Sequence, residues 1–224
     1  MIFCYGVAKG YCKRDITQDY RGQLKTAQTS NLPALTDIDE IAEFLKDLRN
    51  YNGKFTVKTA LLISPYVFLR PSELVASKWE YIDFESSHWV IPAEHMKMNR
   101  DHLIAFPHQV KALLQKLQPI TGYSEYIFPS ERDQAKTMNS ETVNKAIRRI
   151  DNGKYIGHMV SHGFRGMAST ILNENKFRSD VIEKQLAHQE GNKVRDAYNH
   201  AEYLQERTEM MQWYADYLDN LKAN

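Results

Sequence analysis

WEYIDFESSHWVIPAEHMKMNRDHLIAFP, residues 79–107, is the stretch whose reading decides the fold. Three short runs inside it, YIDF (81–84), HWVIP (88–92) and HLIAFP (102–107), are aromatic or β-branched and are split by polar turns. That pattern predicts a three-stranded antiparallel sheet. On both sides the text turns helical: Leu, Ala, Lys, Glu and Gln abound, with only ten glycines and seven prolines in 224 residues. The expected fold is mainly α with a small three-stranded antiparallel β-sheet.

Working outward, LPALTDIDEIAEFLKDL (32–48) supplies a helix start. Thr36 or Asp37 can cap, with Asp39 or Glu40 three residues on, and Ile38, Ile41, Phe44, Leu45 and Leu48 fall on one face. Residues 54–68 read as a second, more apolar helix. Pro71 suits the first turn of a third, through Ala76, which places Arg70 at the junction just before it. After the strands, helices are expected at about 109–117, 140–150, 163–173, 179–187 and 202–221. Residues 1–12 read as the end of a helix and 13–30 as a polar, basic linker. There is no internal repeat and no low-complexity tract.

Composition narrows the function classes. The 42% hydrophobic content is scattered, and no apolar run approaches the roughly 20 residues a spanning helix needs, so a soluble chain is expected. The opening MIFCYGVAKGYC is too short and too interrupted for a secretory signal. Two cysteines, Cys4 and Cys12, make neither a zinc ribbon nor a disulfide framework and fit a reducing cytoplasm. A net charge of +1 carries no nucleic-acid signature by itself. The distribution is uneven: residues 1–30 hold five Lys/Arg against two Asp/Glu, Lys145, Arg148, Arg149, Lys154 and Arg165 form a basic stretch, and the C-terminus is acidic.

Four stretches carry chemistry. In SHGFRGMAST (161–170), His162 and Arg165 stand three apart at a helix start, so both project toward one ligand beside free backbone N–H groups; a capping His with a surface Arg is the plainer alternative. In FLRPSELVASKW (68–79), Arg70 offers a guanidinium fork that matches two phosphate oxygens, and Glu73 can hold that fork in place; a structural ion pair reads equally well. Lys97 lies in or beside the turn between the second and third strands, as many exposed lysines do. QLAHQEGNKVRDAYNHAEY (185–203) places Tyr198 ten residues after His188.

Taken in order, these residues resemble the catalytic set of the tyrosine recombinase, or phage integrase, family: Arg, Lys, His-x-x-Arg, His or Trp, Tyr. Arg70 in LRPSEL, Lys97, His162 and Arg165 in HGFR, His188 in LAH and Tyr198 in AYNHAEY match every member. The resemblance covers about residues 31–224 and is strongest to bacterial prophage integrases. It implies a catalytic domain at 31–224, with 1–30 as the tail of a preceding core-binding domain and a basic linker. The chain would then be part of a longer protein or a shortened gene product.

The resemblance also implies roles. A phenol with an ordinary pKa of about 10 must attack a phosphodiester and expel a deoxyribose hydroxyl. Arg70 and Arg165 would stabilise the pentavalent transition state, on the order of 3 kcal/mol for one well-placed donor. Tyr198 would form a 3′-phosphotyrosyl bond, His162 would accept its proton, Lys97 would protonate the leaving 5′ oxygen, His188 would bond the scissile phosphate, and Glu73 would brace the site. Neither metal, ATP nor another cofactor is required. The implied partners are double-stranded attachment-site DNA, further copies of the chain in a tetramer on DNA with a monomer when free, and accessory DNA-bending or excisionase proteins; no membrane is involved, and the location is the bacterial cytoplasm.

Rival readings stay open in the sequence. An inactive DNA-binding remnant would keep the fold without the reaction. A metal-dependent hydrolase could use His158 and His162, four apart as on a metal-binding helix, although no H-E-x-x-H or acidic cluster accompanies them. Tyr203 competes with Tyr198 as nucleophile. The stretch 202–221, with Met210, Trp213, Tyr214, Tyr217 and Leu218, is an amphipathic segment that either exchanges with a neighbour or packs on its own domain.

Overall fold

Asp37, one of the two caps its sequence offers, begins the first long helix by accepting hydrogen bonds from the Asp39 and Glu40 backbone N–H groups at 3.0 and 3.1 Å. The computed structural model describes residues 2–20, 23, 32–96, 99–187 and 203–223. They divide into two units, Met1–Asn31 and Leu32–Asn224. In the smaller unit, α1 (Ile2–Ala8) buries no residue. The expected linker is not wholly irregular: Ile16–Tyr20 form a 3-10 turn. Asp15 caps that turn, accepting from the Thr17 N–H and hydroxyl at 2.9 and 2.6 Å and from the Cys4 thiol at 3.0 Å. These bonds, Thr17's first, hold the Asp15 carboxyl down to about 2. Both cysteines are free thiols.

The larger unit is built around α3 (Phe55–Val67), which is apolar on nearly every side. Around it pack α2 (Ile38–Arg49), α4 (Pro71–Ala76), α5 (His108–Thr121), α6 (Glu141–Ile147), α7 (Gly163–Glu174) and α9 (Leu204–Ala223); α8 (Ser179–Gln185) seats against α7 and α9. Buried hydroxyls on α3 are satisfied within the helix: Thr59 donates to the Phe55 carbonyl and Ser64 to the Ala60 carbonyl, each at 2.8 Å. Phe68 ends α3 in the left-handed region at φ 56°.

The three strands stand where the sequence puts them, as β1 (Ile82–Asp83), β2 (His88–Ile91) and β3 (His102–Ala105), antiparallel in the order β1-β2-β3. Register pairs Trp89 with Ile104 and Ile91 with His102. Cross-strand partners share a face, so His102 lies on the same buried face as Trp89, Ile91 and Ile104, against the core.

Several boundaries move. Ile41, Phe44, Leu45 and Leu48 are buried as expected, but Ile38 is 43% exposed: in the first turn its side chain points back along the axis, past the packed layer. α5 runs four residues beyond Leu117, with Pro119 inside its last turn. The helix expected over 140–150 stops at Ile147 and gives way to a 3-10 turn, Ile150–Gly153, in which Asp151 and Asn152 take left-handed φ of 42° and 53°. Ile150 is nonetheless buried with Val143, Ala146 and Ile147, so the apolar period runs straight through the break. α9 packs on its own unit, burying Met210, Met211, Tyr214, Ala215 and Leu218, with Trp213 stacked on Tyr217 at 5.1 Å.

Candidate functional site

Arg70 is the N-cap residue of α4, held by a carboxylate one turn on. Glu73 accepts from the Arg70 backbone N–H at 2.9 Å and from its guanidinium at 2.7 Å. Glu73 is 3% exposed and the Arg70 side chain 22%, so the pair sits at the edge of the core with the cation on the solvent side. Pro71, which has no N–H to leave unsatisfied, starts the helix between them.

Arg165 reaches the same place from α7. It is 5% exposed, and its guanidinium donates to the carbonyls of Phe68, two residues before Arg70, and of Leu186 at the end of α8. Burial, and then the Arg70 charge, lower its pKa to about 10, while Glu73 and Glu183 oppose the shift. It remains a cation at neutral pH. Arg70, Arg165 and Glu73 together carry one net positive charge, held by main-chain carbonyls and one carboxylate.

His162 is the N-cap residue of α7, half-buried. Two packing devices fix it. Asn144 on α6 accepts from both the N–H and the hydroxyl of the preceding Ser161, each at 2.8 Å. Gly163 lets the chain at Pro33 and Ala34 press against α7: a Cβ there would stand 2.4 Å from the Pro33 carbonyl oxygen. His162, Arg165, Arg70 and Glu73 therefore lie on helix starts and turns fixed by the core. Lys97, His188 and Tyr198 lie outside the described residues.

A second polar cluster was not singled out by sequence. The His102 Nε2 lies 3.2 Å from the Gln185 carbonyl; a carbonyl only accepts, so Nε2 carries the proton. Burial, then the charges of Arg207, Arg165 and Arg70, push the His102 pKa down to about 3, leaving it neutral. Arg207 on α9 donates through Nε to Gln185 Oε1 at 2.8 Å and through a terminal nitrogen to the Leu103 carbonyl. The sequence does hold a signal: Arg207 stands three, seven and eleven residues before Met210, Tyr214 and Leu218, in an otherwise apolar stripe.

The rival residues behave differently. Tyr203 is partly buried at the start of α9, its ring under the Arg178 guanidinium at 5.0 Å. His158 is exposed in the turn before α7, so its spacing to His162 is not helical. Among the described residues no group of three His, Cys, Asp or Glu side chains converges on a metal-sized site. A cavity of about 1020 Å³ lies elsewhere, lined by Lys54, Lys145, Arg149, Glu131 and Asp151 among others, and includes none of Arg70, Glu73, His102, His162, Arg165, Gln185 and Arg207. The basic stretch read from sequence also divides: Arg165 is in the core and Lys154 is paired with Glu43 at 2.5 Å. No described helix is long and apolar enough to cross a membrane.

Comparison with known proteins gives consistent matches. The model of the phage integrase family matches residues 35–205. The prophage integrase IntA of Escherichia coli K12 is 41% identical over 84% of this chain and 45% of its own length. The integrase of Enterobacteria phage P4 is 38% identical over 97% of this chain and 52% of its own. The chain thus spans about half the length of these curated relatives. Among solved structures, the integrase of mycobacterium phage Brujita aligns with a TM-score of 0.62 at 17% identity, over 99% of this chain and 73% of that one. A lambda integrase fragment, solved as a dimer bound to a core site, aligns at 0.58 and 15%, over 84% and 68%.

Proposed function

Because the chain belongs to the phage integrase family, we propose that it is the catalytic part of a site-specific tyrosine recombinase, cutting and rejoining DNA to integrate or excise a mobile element. The observation that carries this reading is the arginine pair: Arg165, fixed by the Phe68 and Leu186 carbonyls, beside Arg70, fixed by Glu73. Two preset guanidiniums fit the nonbridging oxygens of one phosphodiester and gain strength as charge builds in the transition state.

Tyr198 attacks the phosphorus, displacing the 5′ oxygen and forming a 3′-phosphotyrosyl bond. His162 takes the phenol proton and Lys97 supplies one to the leaving 5′ oxygen; His188 hydrogen-bonds the phosphate. A 5′-hydroxyl from another duplex then reverses the step, returning the tyrosine. The phosphotyrosyl bond conserves the phosphodiester's energy, so no cofactor has to supply any. On this reading the partners are double-stranded attachment-site DNA, with four copies assembled on it from a free monomer and accessory DNA-bending or excisionase proteins alongside, in the bacterial cytoplasm. Residues 1–30 are the tail and linker of a preceding core-binding domain.

The test is covalent trapping on a nicked suicide duplex. The wild-type chain and Tyr203→Phe are expected to yield a protein–DNA adduct and Tyr198→Phe none. An adduct from Tyr198→Phe overturns the nucleophile; DNA binding without any wild-type adduct favours the inactive remnant.

A further inference from the structure

Gln185 and Arg207 are an unusual pair to find in a core. They are 0% and 3% exposed, joined at 2.8 Å across 22 positions of sequence. Arg207 forms no ion pair with any described carboxylate, and Gln185 Nε2 has no partner among the described residues. Burying a cation without a counter-charge costs several kcal/mol more than burying a Leu or Met of similar volume. Packing alone does not account for that choice.

The connections around the pair do. Gln185 is the last residue of α8, and its carbonyl meets His102 on β3. The next carbonyl, Leu186, is held by Arg165. Arg207, in the first turn of α9, ties the Gln185 side chain to the Leu103 carbonyl on β3. A path of hydrogen bonds and one peptide link, Gln185 to Leu186, therefore leads from the candidate phosphate-binding Arg165 to α8, to α9 and to β3.

We propose that Gln185 and Arg207 are positioning residues, whose hydrogen bond fixes the end of α8 relative to the start of α9 and both relative to Arg165. The inference rests on the recombinase reading for its catalytic consequence: on that reading Arg165 holds the phosphate, and Tyr198 lies in sequence between the two helix ends. A misplacement of about 1 Å in a reacting group costs on the order of 100-fold in rate, whereas DNA affinity, carried by phosphate contacts, is largely indifferent to it.

The experiment uses the full chain and the variants Arg207→Met, Gln185→Met and the double variant, below their melting temperatures. At saturating nicked duplex, single-turnover adduct formation is expected to fall roughly 10- to 100-fold in Arg207→Met, with the Kd for DNA within about two-fold when Tyr198→Phe is added to both chains. The double variant is expected to match Arg207→Met instead of multiplying the two losses, because one bond is broken once. Unchanged adduct rates in folded variants, or a rate loss matched by an equal loss of affinity, overturn the proposal. Should Arg207→Met fail to fold, Gln185→Met carries the test, since it keeps the Arg207 bond to Leu103. If the wild-type chain forms no adduct, the recombinase reading falls separately, and amide exchange decides the tie: substituting either residue is expected to speed exchange at both the Leu186 and the Arg207 N–H, and a change confined to the substituted end overturns it.

Discussion

Glu73 holds Arg70 twice, through the backbone N–H at 2.9 Å and the guanidinium at 2.7 Å. One carboxylate thus starts α4 and aims its cation. Glu73→Ala is expected to cost about 2–3 kcal/mol in urea unfolding, because it uncaps the helix and leaves Arg70 half-buried without its partner. Glu73→Gln is expected to cost less, since an amide oxygen still caps, while losing adduct formation through a freed Arg70.

Arg165→Lys tests the fork. A single ammonium cannot reach both the Phe68 and the Leu186 carbonyls while offering further donors to a phosphate. Adduct formation is expected to fall by about 100-fold or more. Retention of activity within a few-fold would show that charge alone suffices.

His102 gives a pH signature. Its folded pKa, about 3, lies below the ordinary 6.5, so the folded chain refuses a proton that the unfolded chain accepts. The neutral imidazole's contribution is complete above pH 6.5 and is lost as pH falls from 6.5 toward 3, by up to about 1.4 kcal/mol per unit. His102→Gln, which can still donate to the Gln185 carbonyl, is expected to flatten that part of the stability–pH curve. Parallel curves for the two chains in urea titrations from pH 7.5 to 4.5 would contradict the neutral, buried assignment.

Gly163→Ala and Gly166→Ala separate packing from helix propensity. Both replace glycine in α7, where alanine ordinarily gains up to about 1 kcal/mol. At Gly163 the Cβ meets the Pro33 backbone at 2.4 Å, whereas at Gly166 the nearest atom is the Ala34 Cβ at 3.3 Å. Thermal melts are expected to show a loss of about 1–3 kcal/mol for the first and little change or a gain for the second.

Much of this was legible from local text. The strand runs, a cap at Thr36 or Asp37, Pro71 at the start of α4 and the position of Arg70 and Arg165 at the starts of their helices needed only period and capping rules, whereas the burial of Arg165 did not show in them. What local text hides is of two kinds. Boundaries slip where local signals are weak or overlap: α5 runs past Leu117 with Pro119 inside its last turn, and Ile150 kept an apolar period across the left-handed Asp151 and Asn152. Long-range pairs belong to no motif, so the meeting of Gln185, Arg207 and His102 is visible only once β3, α8 and α9 are assembled, although an arginine in the stripe of Met210, Tyr214 and Leu218 hints at it.

Phe68 joins the two arginines. Its left-handed turn, φ 56°, hands the chain from α3 to Arg70, and its carbonyl receives Arg165 from 97 residues away. The separation of the two cations is therefore a ruler made of main chain, indifferent to the length of what lies between. Insertions or deletions at the exposed tip of the connection between α5 and α6, residues 131–136, can accumulate without recalibrating it, whereas one altered peptide at position 68 resets both marks at once.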